Sequence, residues 1–171
     1  DSSTTLIFTP SANTKVVHSY MGKKFVVYKK TSSQFTEEKS VINSKGSTQS
    51  GGSVSCLALD VLIQFGCDPI FLTGQDLSFP SSRTYSSFSN NNKQMLDNLD
   101  SGYSLKESHK SDSIRQKTVN VKNIVGDNVV TNQAMYSYIR GIEEIAAVNP
   151  KIKIYNLCSH GAKINKVIPL G

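Results

Sequence analysis

The amino-acid sequence predicts an α/β fold: a Rossmann-like, mostly parallel sheet flanked by helices, with a β-hairpin and long polar loops. Two helical patterns are each followed within a few residues by a predicted strand, Pro69–Thr73 after the first and Ile152–Tyr155 after the second. The first of these strands is a near-continuous apolar run, which is typical of a parallel strand that is covered on both faces. Between the two units, Gly126-Asp127 separates two segments rich in β-branched residues, which indicates a hairpin.

Two further strands are predicted near the start of the sequence. Thr5–Thr9 and Lys24–Tyr28 are short runs of β-branched and aromatic residues, each closed by charged or turn-forming residues. Residues 10–22 between them are polar, and we expect a loop or one short helix there. Residues 31–53 are rich in Ser, Thr, Lys and Gly, which predicts a long exposed connection.

The first helix is predicted by apolar residues that recur at helical spacing and form one stripe. These residues are Val54, Leu57, Ala58, Val61, Leu62 and Phe65. We expect this stripe to pack on the sheet. Ser53 is a favourable N-cap, and Gly66 suits the position just after the helix end.

The second helix is predicted over Asn132–Ala147, and Asn149-Pro150 ends it. Its predicted apolar face consists of Met135, Tyr138, Ile139, Ile142 and Ala146. The hairpin before it has predicted strands at residues 117–121 and 128–131. Residues 81–116 are polar and too long for an ordinary connection, which predicts a long polar loop or lid, with disorder as the alternative.

The length of 171 residues indicates one domain that occupies residues 1–171. The first residue is Asp1 rather than Met, so we expect the chain to be part of a longer protein. The net charge of +6 and the pI of about 9.2 favour an anionic ligand, with a solvated basic surface as the alternative. The lysines are scattered and aromatic residues do not alternate with them, so nucleic acid is not an expected partner.

Cysteine usage and hydropathy predict a cytoplasmic protein. Cys56, Cys67 and Cys158 are an odd number at wide spacing, without the C-x-x-C pair that a zinc site or a disulfide framework favours. A reducing compartment fits this usage. No apolar run approaches the roughly 20 residues of a membrane-spanning helix, so no span is expected.

Three segments are expected to meet where ligands bind to open α/β sheets, beyond the carboxyl ends of the strands. They are Ser50–Ser55 before the first helix, Gly74–Leu77 after its strand, and Asn156–Ala162 after the last strand. The Gly51-Gly52 pair lets the backbone approach a phosphate, which the helix N-terminus stabilises, and Ser53 and Ser55 add hydroxyl groups. The segment is neither a P-loop nor a G-x-G-x-x-G motif, and a glycine-rich turn with a serine cap is the alternative.

The polar residues after the apolar strands are the other predicted ligand contacts. Gly74, Gln75 and Asp76 directly follow one strand, and Asn156 follows the other. Burying an unpaired amide or carboxylate costs several kcal/mol, so Gln75 and Asp76 should be exposed and available to a ligand. Asp76 can accept hydrogen bonds from a ribose or a base, or hold a cation through water, while capping of the following loop is the alternative.

The runs Ser50–Asp60 and Phe65–Leu77 closely resemble the core of the Maf family of flagellin glycosyltransferases and their MptE-like relatives. They are more distantly similar to the short bacterial sialyltransferases. A looser match continues in order through Val129–Thr131, the helix that carries Tyr138, and Gly161–Ile164. Together these segments span most of residues 45–165.

The resemblance implies a Rossmann-like domain and a nucleotide or nucleotide-sugar substrate. Maf-type enzymes transfer a nonulosonic acid from its CMP-activated form to Ser or Thr hydroxyls, with flagellin as the acceptor partner. The MptE-like branch includes an archaeal pyrophosphokinase that transfers diphosphate from ATP to a hydroxymethyl-dihydropterin. That reaction needs Mg²⁺, so a metal cofactor is expected only in this alternative. A non-catalytic nucleotide-sugar binding module is a third possibility.

One position departs from the Maf pattern. After Asp76 the family has a Thr-His pair where this sequence has Thr84-Tyr85, which puts a catalytic histidine there in doubt. Tyr85 can instead donate a hydrogen bond to the phosphate, as tyrosines do in the sialyltransferases. His160 is the histidine best placed to act as the base, with a surface loop histidine as the alternative.

Overall fold

A computed structural model describes residues 3–29, 47–49, 52–79 and 118–170. In chain order the elements are β1 Leu6–Phe8, α1 Thr14–Ser19, β2 Lys24–Val26, α2 Val54–Gln64, β3 Ile70–Leu72, β4 Thr118–Lys122, β5 Asn128–Asn132, α3 Gln133–Val148, β6 Ile154–Asn156 and β7 Ile168–Pro169. The polar segment 81–116 falls outside the described residues.

The strands form two parallel sheets and one antiparallel hairpin. β1 pairs with β2, and the order of the second parallel sheet is β3-β6-β7. β4 and β5 form the predicted hairpin. The α/β class, the parallel pairing and the hairpin are therefore confirmed. Within the described ranges the two parallel sheets are not paired with each other, so a single Rossmann-like sheet stays a prediction.

The second parallel sheet is built from two helix–strand units. Only residues 65–69 separate α2 from β3, and only residues 149–153 separate α3 from β6. Links this short make each helix run back along the strand that follows it, so both helix N-termini lie near the carboxyl ends of the strands. The core lies where α2 and α3 meet this sheet, and its buried members include Leu59, Ile70, Ile142, Ile145 and Ile154.

Both helices begin at side-chain caps. The Oγ of Ser53 accepts a hydrogen bond from the Cys56 N–H at 3.1 Å, which confirms Ser53 as the N-cap of α2. The Oδ1 of Asn132 does the same for the Met135 N–H at 2.7 Å. Gly66, with a φ of +78°, follows the end of α2 in the left-handed conformation that glycine adopts readily, as predicted.

The buried face of α2 differs from the predicted one. Val54 is 80% exposed and Phe65 is 69% exposed, whereas Cys56 and Leu59 are almost completely buried. The helix is apolar on two sides, and its contacts with α3 and the sheet decide which residues are buried. The predicted stripe is right at Val61, which is buried, and wrong at Val54, Ala58, Leu62 and Phe65, which are exposed. The helix and its two ends are confirmed.

A buried carboxylate fastens α3 to the loop between β6 and β7. Glu143 is 7% exposed, and its Oε1 accepts hydrogen bonds from the N–H and the side-chain amide of Asn165, at 2.8 and 2.6 Å. Its Oε2 lies 2.6 Å from Nη1 of Arg140, whose side chain is largely exposed. A buried carboxylate needs such partners, and these partners fix the loop on the helix.

The first parallel pair joins the rest of the structure through residues 47–49. The N–H of Thr48 donates to the Tyr28 carbonyl at 2.8 Å. The next N–H, of Gln49, donates at 2.9 Å to the carboxylate of Asp60, a buried residue of α2. No helix within the described ranges is both long and apolar enough to cross a membrane.

Candidate functional site

The carboxyl ends of β3 and β6 lie side by side. The strands are parallel, with Leu72 opposite Asn156, and the N–H of Leu157 donates to the Leu72 carbonyl at 2.9 Å. After β3 and β6, the backbone turns away from the sheet at the same edge in both places. Two of the three predicted segments, Gly74–Leu77 and Asn156–Ala162, are thus neighbours, as the parallel arrangement requires.

The two turns touch through their backbones. The N–H of Ala162 donates to the carbonyl of Asp76 at 2.7 Å. A Cβ added at Gly161 would lie 2.6 Å from both the Cα and the carbonyl oxygen of Asp76, which is closer than real Cβ atoms come. Only glycine permits this approach. The side chain of Asp76 nevertheless remains exposed to solvent.

A second element holds the Asp76 turn from the hairpin side. The hydroxyl of Thr131, which is completely buried, donates to the Leu77 carbonyl at 2.7 Å. The N–H of Phe79 donates to the Val130 carbonyl at 2.8 Å. Leu77 has a φ of +47°, a conformation that costs free energy for a non-glycine residue and persists where neighbours enforce it.

The thiol of Cys158 lies beside the Asp76 carboxylate. Burial raises the pKa of Cys158, and the negative charge of Asp76 raises it further. The N–H of Cys158 donates to Oδ1 of Asn156 at 3.2 Å, which keeps the turn close to the strand end. At neutral pH this site therefore presents a neutral thiol next to an exposed carboxylate.

A cleft of about 170 Å³ opens at the carboxyl ends of β6 and β7. Its lining residues are Ile124, Asn156, Lys163, Ile164, Val167 and Pro169. Asn156 is buried, and Asn156 and Lys163 are the polar residues among those that line this largely apolar space. At about 170 Å³ the cleft is smaller than typical small-molecule sites, which have volumes of about 300–1,000 Å³.

The start of α2 lies against α3. Gly52 has a φ of +83°, and a Cβ there would meet the ring of Tyr138 at 3.6 Å and the hydroxyl of Ser137 at 4.0 Å. The hydroxyls of Ser53 and Ser55 are 2.8 Å apart. This turn therefore gathers three serine hydroxyls and a tyrosine ring around a helix N-terminus.

The remaining predicted residues have different surroundings. Gln75 is half-buried beside Asp76, Gly74 adopts a φ of +67°, and His160 is exposed directly before Gly161. Gly51 and Tyr85 lie outside the described residues. In the part of the chain that the structure describes, no three His, Cys, Asp or Glu side chains are grouped as a metal site would need.

Sequence reasoning missed Thr131 and Ser137, and it gave no individual role to Cys158 and Gly161, which lie within the predicted segment Asn156–Ala162. The glycine carried a usable signal, because a glycine in the turn after a strand often marks a close backbone approach. The contacts of Thr131 and Ser137 depend on how the hairpin and α3 pack on the Asp76 turn and on α2. No local pattern predicts that packing.

One comparison with known proteins bears on the chain. Residues 1–82, just under half of the 171 residues, match the family model described as 6-hydroxymethylpterin diphosphokinase MptE-like. The match includes α2, β3 and Asp76, and it supports the MptE-like part of the resemblance. The similarity to Maf glycosyltransferases and sialyltransferases stays a prediction. No curated protein and no solved structure matches the chain.

Proposed function

We propose that this chain is the nucleotide-binding part of a transferase, with the nucleotide at the carboxyl ends of β3 and β6. The observation that carries the proposal is the contact between the Asp76 turn and the turn that ends at Ala162. Open α/β sheets bind ligands at this edge. The MptE-like match over residues 1–82 supports a nucleotide-type substrate.

The phosphate is bound at the N-terminus of α2. The first backbone hydrogen bond of the helix runs from the N–H of Leu57 to the carbonyl of Ser53 at 3.2 Å. The N–H groups of Val54 and Ser55 come before this bond in the chain. Such N–H groups, together with the helix dipole, favour an anion. Gly52, with its positive φ, turns the backbone just before α2, and the hydroxyls of Ser53 and Ser55 supply further hydrogen-bond donors.

Asp76 binds the nucleoside part. Its backbone is fixed by Ala162 while its carboxylate is exposed, so it can accept hydrogen bonds from ribose hydroxyls or a base amino group. Gln75 and Asn156 contribute amides at the same edge. His160 follows on the neighbouring turn and is the proposed base for an acceptor hydroxyl.

Two chemistries fit a transferase of this kind. In the first, a nonulosonic acid is transferred from CMP to a Ser or Thr hydroxyl of flagellin or a similar acceptor, which the runs Ser50–Asp60 and Phe65–Leu77 favour. In the second, diphosphate is transferred from ATP to a hydroxymethylpterin, which the family match favours. The second requires Mg²⁺ to neutralise the phosphates, and Asp76 would be one ligand.

Calorimetric titration of CMP and ATP, each in EDTA and in Mg²⁺, tests the proposal and separates the chemistries. Glycosyl transfer predicts that CMP binds equally well under both conditions and more tightly than ATP. Diphosphate transfer predicts Mg²⁺-dependent binding of ATP that is tighter than that of CMP. If the full chain binds neither nucleotide, the proposed function is wrong.

A variant at Asp76 locates the site. Asp76→Asn removes a charged acceptor, and losing hydrogen bonds to a charged group costs about 1.5–3 kcal/mol, or roughly 10- to 100-fold in Kd. Asp127→Asn, in the hairpin turn, is the control and should leave the Kd unchanged. Equal affinities in the two variants would show that the nucleotide binds elsewhere.

A further inference from the structure

The backbone of Asp76 is fixed more firmly than that of an ordinary exposed loop residue. On one side, Gly161 lies so close that a Cβ there would be 2.6 Å from the Cα of Asp76. The next N–H, of Ala162, donates to the Asp76 carbonyl at 2.7 Å. Ala162 is completely buried, so the donor side of this hydrogen bond is shielded from solvent.

On the other side, the hairpin holds the peptide that follows Asp76. The buried hydroxyl of Thr131 donates to the Leu77 carbonyl at 2.7 Å. Leu77 stays at a φ of +47° although that conformation is unfavourable for leucine. Backbone strain of this kind persists only where the surroundings enforce it, and it is concentrated at functional sites.

The turn that holds Asp76 is itself anchored at two further points. The N–H of Lys163 donates to the Lys122 carbonyl at 2.8 Å, which joins the turn to the end of β4. The N–H of Asn165 donates to the buried carboxylate of Glu143 on α3 at 2.8 Å. A shift of the turn would therefore disturb both contacts, so Gly161 has little freedom to move away from Asp76.

We propose that Gly161, Ala162 and Thr131 form a clamp that positions the Asp76 carboxylate for the nucleotide, and that Gly161 is the essential positioning residue within it. The inference rests on the proposed function, because it assigns a second set of residues to the same site. The clamp fixes the backbone and leaves the carboxylate exposed. A preorganised acceptor of this kind binds its ligand without the cost of ordering a loop.

A double-mutant cycle tests the clamp. The Kd of CMP and of ATP with Mg²⁺ is measured by calorimetry for the full chain, Asp76→Asn, Gly161→Ala and the double variant. We expect each single variant to weaken the tighter-binding nucleotide at least tenfold. We expect the double variant to bind no more weakly than Asp76→Asn alone, because Gly161 acts only through Asp76.

Gly66→Ala is the matched control for glycine replacement. Gly66 has a φ of +78° and nothing within 4 Å of an added Cβ, so the variant strains the backbone at the end of α2 without touching the clamp. We expect its Kd to stay within twofold of the unmodified protein. A comparable loss of affinity in Gly66→Ala would show that general destabilisation explains the effect, and the clamp would be refuted.

A gentler variant covers the case in which Gly161→Ala does not fold. Thr131→Val keeps the buried shape and removes only the hydroxyl donor to Leu77. We expect a several-fold loss of affinity that disappears in the Asp76→Asn background. Unchanged affinity, or effects that simply add to those of Asp76→Asn, would overturn the clamp.

The outcomes separate the clamp from the proposed function. If Asp76→Asn weakens binding while Gly161→Ala and Thr131→Val do not, the clamp is wrong and the nucleotide site stands. If Asp76→Asn itself has no effect, the proposed position of the nucleotide is wrong, and the clamp has no ligand to position.

Discussion

Replacing Leu59 with alanine tests which face of α2 is buried. Leu59 is 1% exposed and packs in the core with residues of α3 and the sheet, whereas Phe65 on the same helix is 69% exposed. The apolar spacing of the sequence favours the opposite assignment, with Phe65 in the core. A pair of alanine variants, Leu59→Ala and Phe65→Ala, therefore distinguishes the two faces.

The expected losses of stability follow from these exposures. Leu59→Ala removes buried carbon atoms worth about 2–3 kcal/mol and leaves a cavity, so we expect a loss of about 3–5 kcal/mol. A fully buried Phe→Ala change costs a similar amount. Since only about a third of Phe65 is buried, its replacement should cost about 1 kcal/mol.

Urea denaturation followed by far-UV circular dichroism measures both losses, and it suits a protein that contains no tryptophan. For a chain of this size, about 1 kcal/mol corresponds to roughly 2–4 °C in Tm, so Leu59→Ala should lower the Tm by about 6–20 °C. A larger loss for Phe65→Ala than for Leu59→Ala would refute the packing of α2 described above.

Two further predictions concern charged groups. Glu143→Ala should lower the free energy of unfolding by about 2–4 kcal/mol in the same urea assay, because it removes a buried acceptor of several hydrogen bonds. Arg140→Ala should lower it by less than about 1 kcal/mol, because the guanidinium is largely exposed. Equal losses in the two variants would contradict the assignment of Glu143 as the buried, stabilising partner. Asp76→Asn removes a negative charge that raises the pKa of Cys158, so the pH profile of Cys158 alkylation in the folded protein should shift to lower pH. A shift to higher pH, or none, would contradict the contact between the two side chains.

The elements of the fold were predictable because their signals are local. Ser53, Gly66 and Asn149 mark helix ends through their own side chains or backbone freedom, and the structure has helix ends there. The buried face of α2 was not predictable, since the helix carries apolar residues on two sides. Only its contacts with α3 and the sheet decide between them, and those contacts are properties of the whole fold.

The candidate site likewise has features that the sequence predicts and features that it does not. The ends of β3 and β6 lie side by side because two parallel strands end at the same edge, so the sequence predicts their proximity. The contact of Gly161 with Asp76 and that of Thr131 with Leu77 depend on the exact path of two loops relative to the hairpin. Residues far apart in the sequence meet there, and no spacing rule connects them.

The hydrogen bonds from Asn165 to Glu143 have a consequence for local unfolding. The loop between β6 and β7 contains two residues that bind other elements. The N–H of Asn165 donates to Glu143 on α3, and, a few residues earlier, the N–H of Ala162 donates to the carbonyl of Asp76. The loop cannot separate from the sheet edge without breaking a buried, charge-assisted bond to the middle of the helix. We therefore expect α3, this loop and the Asp76 turn to open as one cooperative unit, with amide hydrogens that exchange at a common rate set by the helix.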